Sequence, residues 1–191
     1  AYVFPGGKLD EADSSELVLR HLDQDPLNLH HSLAEPDIQT HMAAGLYVAA
    51  IREALEECGV LYARSRNSKA LAHDTMQRAQ WQKKLHAGET FADVLASGDL
   101  QLDTQHLAPW SRWITPRMPS VTSKRFDTRF FLARAPHSQT AVQDNHETTE
   151  VLWSTPRNAL IQYWQGTIVL APPQIMSLSH LSLFQSVEDA M

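Results

Sequence analysis

The chain has 191 residues, enough to bury the core of one domain, and its 43% hydrophobic and 20% charged composition is typical of a globular protein. No run approaches the ~18 consecutive apolar residues of a membrane-spanning helix, and a net charge of −6 argues against a nucleic-acid binder. We therefore expect a small-molecule partner, with no nucleic acid and no membrane. The single cysteine, Cys58, leaves no internal disulfide to form and predicts a cytoplasmic protein.

The first half of the chain is predicted to be mostly helical. Residues 1–13 are typical of a strand end followed by a loop at Gly6 and Gly7, whose backbone freedom would let phosphate approach the main chain. A short helical pattern begins after Ser15, and the two prolines within residues 23–37 predict a loop. Apolar spacing then predicts helices over residues 39–58, 74–86 and 90–96.

The second half alternates strands with helices. Runs rich in Trp, Phe, Ile and Leu predict strands over residues 107–115, 126–135, 149–153 and 167–170. Helices are predicted over residues 155–164 and 177–187. Mixed strands with flanking helices indicate an α/β sandwich.

The most informative stretch is the end of the long predicted helix. Glu53, Glu56 and Glu57 are three and four residues apart, so their side chains share one helix face. Carboxylates crowded in this way repel one another unless a cation lies among them, and Mg²⁺ or Mn²⁺ suits oxygen ligands. Gly59 fits the left-handed position that ends a helix.

This segment, beginning at Arg52, resembles the second half of the Nudix box, G-x5-E-x7-R-E-U-x-E-E-x-G-U, where U is a bulky aliphatic residue. Gly7 opens a match to the first half, with Asp13 in the place of its glutamate. A long insert separates Asp13 from Arg52, and Ala54 replaces an aliphatic residue. The chain is similar to a branch of the superfamily with such an insert, like the peroxisomal coenzyme A diphosphatase of mammals. Later blocks of that branch have counterparts at residues 113–116, 125–131, 153–156 and 172–174.

The resemblance implies a Nudix-type α/β/α sandwich with a mixed sheet, plus a helical insert within the box. We expect one domain over residues 1–191, with residues 14–38 as the insert and residues 65–98 as a helical elaboration. Strands that the family places before the glycine loop are expected to be missing from the chain. If they are absent, an exposed sheet edge would favour a homodimer.

The resemblance also implies roles for residues of the box. Glu56 and Glu57 would be the principal metal ligands, and Glu53 a further ligand or the general base. Arg52 would orient a glutamate through a bidentate pair. Taken alone, the same glutamates would favour a solvated acidic helix face with ordinary ion pairs; together with the glycine loop, Arg52 and Gly59 they favour a metal site.

Four further positions have two interpretations each. Asp13 is either a member of the metal site or a cap beside Ser14. Glu147, rather than Glu150, would be the catalytic carboxylate outside the box, or both belong to a polar loop. Arg125 would bind substrate phosphate, or it belongs to a salt-bridged strand face together with Asp127.

The expected function is hydrolysis of a nucleoside diphosphate linked to another moiety, with Mg²⁺ or Mn²⁺ as cofactor. The branch suggests coenzyme A or an acyl-CoA as substrate, and NADH, ADP-ribose or a nucleotide sugar are the alternatives. A Nudix module that senses a nucleotide without cleaving it is the competing class. Retention of Glu53, Glu56 and Glu57 favours catalysis.

Overall fold

The computed structural model describes residues 1–66, 75–116, 125–142 and 150–191. Its contacts divide the chain into two compact units. The larger unit comprises Pro5–Leu107 and Ala133–Val151, and the smaller unit comprises Ala1–Phe4, Ala108–Leu132 and Leu152–Met191. Each unit is therefore assembled from separate stretches of sequence. A single domain over residues 1–191 stays a prediction.

Helices and strands are mixed along the chain. The helices are α1 (Glu16–Leu19), α2 (Pro26–Leu33), α3 (Thr40–Cys58), α4 (Thr75–His86), α5 (Phe91–Ser97), α6 (Pro156–Trp164), α7 (Pro172–Leu181) and α8 (Val187–Ala190). The strands are β1 (Ala63–Ser65), β2 (Leu100–Leu102), β3 (Leu107–Ile114) and β4 (Asp127–Ala133). Short 3-10 helices cover Glu11–Ser14 and Thr104–His106. No helix in the described residues is long and apolar enough to cross a membrane.

Helix α3 is the central element of the larger unit. Ile51 and Leu55 are fully buried along it, as is Val48. The helix ends at Gly59, whose φ of 64° is left-handed, and the Val60 N–H donates to the Ala54 carbonyl oxygen at 3.1 Å. The predicted helix and its end are thus confirmed.

The prediction of a loop over residues 23–37 is wrong, because this segment contains α2. The Asp25 carboxylate accepts a hydrogen bond from the Leu27 N–H at 2.8 Å, and Pro26 occupies the first turn, where a helix tolerates proline. Leu29 and Leu33 are buried, and α2 packs against α3. The insert is therefore partly helical.

A small antiparallel sheet completes the larger unit. Strand β1 pairs with β2 in the register Ala63↔Leu102 and Ser65↔Leu100. Leu102 also forms a parallel bridge with Leu22, and the Leu102 N–H donates to the His21 carbonyl oxygen at 2.7 Å. The insert is thereby joined to the sheet.

The smaller unit contains most of β3 and β4, two strands that the sequence predicted and that pair with each other in the structure. Beyond the strands, the Thr115 N–H donates to the Phe126 carbonyl oxygen at 2.9 Å. Helices α6 and α7 pack together around a core that includes Leu160, Ile168 and Leu178.

Three predictions for the last part of the chain differ from the structure. Residues 150–153 form no strand, and within residues 167–170 only Leu170 makes a bridge, an isolated one to Tyr2. The closing helix begins at Pro172 and ends at Leu181, because prolines are accommodated in a first turn. Helix α7 therefore begins at the proline pair, before the predicted start at Ser177.

Candidate active site

The last turns of α3 position the carboxylates of the motif. Ile51 and Leu55 face the core, which aims Arg52, Glu53 and Glu56 toward the start of the chain. Arg52 and Glu53 are themselves at least nine-tenths buried, and Glu56 is half-buried. The local helix and its apolar face therefore hold a charged group where water is largely excluded.

Arg52 lies at the centre of this group. Its Nε and Nη2 donate to the two oxygens of Asp13 at 2.8 and 2.9 Å. Its Nη1 donates to Glu53 Oε1 at 2.8 Å and to Glu56 Oε2 at 2.9 Å, and its Nη2 also reaches the Lys8 carbonyl oxygen at 3.0 Å. The guanidinium thus fixes three carboxylates at once.

Asp13 is the bidentate partner of Arg52, where the sequence suggested a glutamate in that role. Asp13 Oδ2 also accepts a hydrogen bond from the Asp10 N–H at 2.9 Å, within the short helix Glu11–Ser14. The interpretation of Asp13 as a turn residue therefore describes a real contact, and its membership of a metal site stays a prediction. It belongs to the charged cluster, and it caps the turn that brings it there.

The glycine loop contacts the same carboxylates. The Gly6 N–H donates to Glu57 Oε2 at 3.2 Å. A β-carbon at Gly7 would overlap the Glu53 carboxylate, so this position has no room for a side chain. Neither glycine has a positive φ, and close approach is what requires Gly7. Phosphate binding at Gly6 and Gly7 stays a prediction.

Burial and the neighbouring charges shift the pKa values of Arg52, Glu53 and Glu56 in opposite directions. Burial raises the pKa of Glu53 and of Glu56, and the attraction of Arg52 only partly opposes it. Burial alone would lower the pKa of Arg52, but its hydrogen bond to Asp13 and the surrounding carboxylates raise it. One guanidinium faces three carboxylates, so the cluster keeps an excess of negative charge.

The donor chemistry of this cluster fits a hard divalent cation. Glu53 and Glu56 each use one oxygen on Arg52, and Glu53 Oε2 and Glu56 Oε1 make no hydrogen bond within the described residues. With Glu57 they offer the carboxylate oxygens that Mg²⁺ and Mn²⁺ prefer. Among the described residues, no group of three or more His, Cys, Asp or Glu side chains is arranged so that it could hold a metal ion. The assignment of Glu53, Glu56 and Glu57 as ligands stays a prediction.

A cavity of about 280 Å³ opens beside the cluster. It is lined by Asp10, Ala12, Asp13, Val18, Arg52, Glu56, Leu85, Glu89, Thr90 and Phe91. The start of the insert forms one side, and the end of α4 with the start of α5 forms another. Residues of the insert (14–38) and of the helical elaboration (65–98) therefore both border the candidate site.

Other predicted residues lie elsewhere. Arg125 belongs to the smaller unit, where its Nε donates to the Thr115 carbonyl oxygen at 3.2 Å. In the same unit Asp127 pairs with Arg112 and Arg129, at 2.7 and 3.0 Å, so Asp127 is salt-bridged with these two arginines. Phosphate binding by Arg125 stays a prediction, and Glu147 lies outside the described residues.

Two buried polar residues of α4 also reach this end of α3, and the sequence pattern assigned no role to them. Gln82 Nε2 donates to the Glu56 carbonyl oxygen at 2.8 Å. Arg78 Nε donates to the Gly59 carbonyl oxygen at 3.0 Å. The available signal was weak, because a glutamine and an arginine are ordinary on a surface helix.

Comparison with known families and proteins agrees with the motif. The family described as NUDT19 Nudix domain matches residues 34–181. The acyl-coenzyme A diphosphatase NUDT19 of Homo sapiens is 30% identical to this chain, and the alignment covers 99% of this chain and 58% of the length of that protein. The protein of the same name in Xenopus laevis is 27% identical, and the alignment covers 99% of this chain and 57% of that protein. The chain thus spans little more than half the length of these curated relatives.

A solved structure supports the fold. The crystal structure of a NUDIX hydrolase from Alicyclobacillus acidocaldarius matches with a TM-score of 0.79 and 28% sequence identity. The match covers 98% of this chain and 78% of the other. The predicted α/β class and Nudix-type fold are confirmed.

Proposed function

This chain belongs to the NUDT19 Nudix domain family of Nudix hydrolases, and from that premise we propose that it is a divalent-metal-dependent diphosphatase. The observation that carries the proposal is the buried cluster in which Arg52 holds Asp13, Glu53 and Glu56. Oxygen donors with excess negative charge suit a metal-assisted reaction on an anionic substrate. A nucleotide-sensing module would not need this concentration of carboxylates.

The residues of the cluster would divide the work as follows. Arg52 fixes one oxygen of Glu53 and one of Glu56, so that both carboxylates are pre-oriented. Glu56 and Glu57 would hold Mg²⁺ or Mn²⁺, which supplies charge neutralisation and a more acidic water when bound.

Glu53 is the general base in this proposal. Burial makes its pKa higher than that of an exposed carboxyl, so it accepts a proton more readily. The attacking water gives its proton to Glu53 while its oxygen bonds to one phosphorus. The bond from that phosphorus to the bridging oxygen breaks, and two phosphate-bearing products leave.

Coenzyme A or an acyl-CoA is the proposed substrate. The support is that the matched relatives are acyl-coenzyme A diphosphatases. The products would be 3′,5′-ADP and a phosphopantetheine or its acyl derivative. The cavity beside Glu56 has apolar walls at Val18, Leu85 and Phe91, which suit an uncharged part of such a molecule.

The test is product analysis by mass spectrometry on the full-length protein with Mg²⁺ or Mn²⁺. The panel contains coenzyme A, acetyl-CoA, a long-chain acyl-CoA, NADH, ADP-ribose and a nucleotide sugar. We expect 3′,5′-ADP from the coenzyme A compounds, and its loss with EDTA. Cleavage of NADH, ADP-ribose or the sugar alone would refute the substrate, and binding without any cleavage would favour the sensing module.

Glu56→Gln tests the chemistry with little change of shape, and Glu16→Gln in α1 is its control, since Glu16 is exposed. Glu56→Gln should lower kcat by roughly 100-fold or more, because it removes a charged metal ligand. Glu16→Gln should leave kcat unchanged. An equal rate in Glu56→Gln and the parent protein would refute the metal assignment.

A further inference from the structure

The end of α3 needs hydrogen-bond donors from elsewhere in the chain. The last carbonyls of a helix have no N–H of that helix to accept. Here the Gly59 N–H donates to the Leu55 carbonyl oxygen at 3.0 Å. The carbonyl oxygens of Glu56 and of the residues after it therefore need donors from other parts of the chain. The Val142 N–H donates to the Cys58 carbonyl oxygen at 3.0 Å.

Helix α4 supplies two of these donors from side chains. Gln82 Nε2 donates to the Glu56 carbonyl oxygen at 2.8 Å, and Arg78 Nε donates to the Gly59 carbonyl oxygen at 3.0 Å. The two residues are one helical turn apart, so they approach α3 from the same face. The cationic guanidinium also lies at the negative end of the α3 dipole, where its charge is favourable.

Simple packing does not explain these two residues. Gln82 is 9% exposed and Arg78 is 3% exposed, although both are side-chain types that are mostly found at surfaces. Trp81 and Leu85 already provide the apolar contacts of α4. Burying an amide and a guanidinium is unfavourable unless each is hydrogen-bonded, and the hydrogen bonds to α3 help to offset the cost of burying Gln82 and Arg78.

Glu56 is held at two points by these contacts. Its carboxylate Oε2 accepts from Arg52 Nη1 at 2.9 Å, and its main-chain oxygen accepts from Gln82 at 2.8 Å. Ends of helices fray when their carbonyls lack partners, and fraying here would displace Glu56 and Glu57 together. The hydrogen bond from Gln82 to the main chain therefore helps to fix the direction in which the Glu56 and Glu57 carboxylates point.

We propose that Gln82 and Arg78 are positioning residues that clamp the last turn of α3 and keep Glu56 and Glu57 oriented for the metal. The inference rests on the proposed function, and it assigns a purpose to α4 within the helical elaboration. Residues outside the ligand set that orient the ligands commonly change metal affinity by ~10- to 100-fold. The clamp should do the same without touching the substrate.

The first experiment compares Gln82→Met with Gln80→Met in the full-length protein. Both variants replace glutamine by methionine in α4. Gln80 is exposed, whereas Gln82 is buried and bonds the Glu56 carbonyl oxygen. Free Mn²⁺ is measured by electron paramagnetic resonance during titration, which needs no substrate. The Kd for Mn²⁺ should rise by about 10-fold in Gln82→Met and stay at the parent value in Gln80→Met.

Kinetics provide a second measurement. At a fixed, subsaturating Mn²⁺ concentration, Gln82→Met should lower kcat while the KM for the cleaved substrate stays within about twofold. The Gln82→Lys variant keeps a donor that suits carbonyls at a helix end, so it should recover most of the Mn²⁺ affinity. A merely structural role would lower the unfolding temperature of Gln82→Met and leave the Kd per folded molecule unchanged.

The outcomes distinguish the positioning role of Gln82 and Arg78 from the proposed metal-dependent hydrolysis. If the parent protein binds Mn²⁺ and cleaves substrate, but Gln82→Met has the parent Kd, the clamp is refuted and the function stands. If the parent protein neither binds Mn²⁺ nor cleaves any substrate, both are refuted. Should Gln82→Met fail to fold, Gln82→Asn withdraws the amide by one methylene and must raise the Kd in the same direction.

Discussion

The guanidinium of Arg52 organises the candidate site at the scale of single residues. Asp13 would be a buried charge without a counter-ion if Arg52 were absent, because its side chain is only 2% exposed. Glu53 depends on the same cation, and it also needs the space that Gly7 leaves open. The motif residues are therefore as much a buried structural cluster as a reactive one.

Arg52→Met should destabilise the protein strongly. The substitution keeps much of the side-chain volume but leaves three buried or half-buried carboxylates unpaired, which costs roughly 3–5 kcal/mol. The free energy of unfolding from urea denaturation measures it, and Arg66→Met at an exposed position is the control. Equal losses in the two variants would show that the cluster contributes no more than a surface charge.

Tyr47 should ionise unusually late. Burial raises its pKa from 10.0 to about 12, because the phenolate would lose its hydration. A tyrosine whose pKa is raised on folding contributes stability below pH 10 that is lost as the pH rises toward 12. Absorbance of tyrosinate during an alkaline titration should show a component near pH 12, and Tyr47→Phe should remove part of it. An unchanged titration in Tyr47→Phe would contradict the buried environment.

At the scale of elements, local signals were reliable where they agreed with packing. The three-and-four spacing and Gly59 predicted α3 because its apolar face and its end are both local features. The prediction of a loop around Pro26 was wrong, and the start of α7 at Pro172 was missed. Pro26 and Pro172 each begin a helix, and a proline at the first turn cannot be distinguished from a loop proline without knowing what the next turn buries.

Gly45 is another point where tertiary contact outweighs helix propensity. It lies inside α3, and a β-carbon there would be 3.0 Å from the Ser14 β-carbon and 3.3 Å from its main chain. Helix propensity predicts that Gly45→Ala stabilises by ~1 kcal/mol, whereas the contact predicts a loss of about 1–3 kcal/mol. We expect the loss.

Urea denaturation decides the sign for Gly45→Ala. The double variant with Ser14→Gly is the matched comparison, because it removes the side chain that the new methyl group meets. It should recover part of the stability lost in Gly45→Ala. A stabilised Gly45→Ala protein would mean that the start of the insert can move away from α3 at little cost.

At the scale of the whole molecule, each unit combines segments that are distant in sequence. Residues 133–142 join the larger unit through contacts such as the Gln139 side chain, which bonds the Leu61 main chain at 2.8 and 3.0 Å. Composition gives no sign of such pairings. The cytoplasmic location and the homodimer are proposals of ours that rest on the cysteine and sheet-edge arguments alone.

Metal binding should stabilise the folded protein as a whole. A ligand that binds only the folded state, at 100 times its Kd, adds about 2.7 kcal/mol to the free energy of unfolding. Mn²⁺ should therefore raise the unfolding temperature, and EDTA should reverse the shift. Glu56→Gln should lose most of the shift, while Glu16→Gln should keep it. A shift of equal size in Glu56→Gln would place the metal elsewhere.

The sequence by itself determined the family and the fold class, because these depend on motifs and predicted elements read along the chain. It also determined the long helix and its glycine end, because these depend on residue spacing within one element. The tertiary structure alone decided that Asp13 is the bidentate partner of Arg52, that Gly7 makes room for Glu53, and that α4 reaches the end of α3. The physical reason is that each of these contacts joins groups far apart in the chain. Their partners are selected by burial and by the need of buried polar atoms for hydrogen bonds, which no local pattern contains.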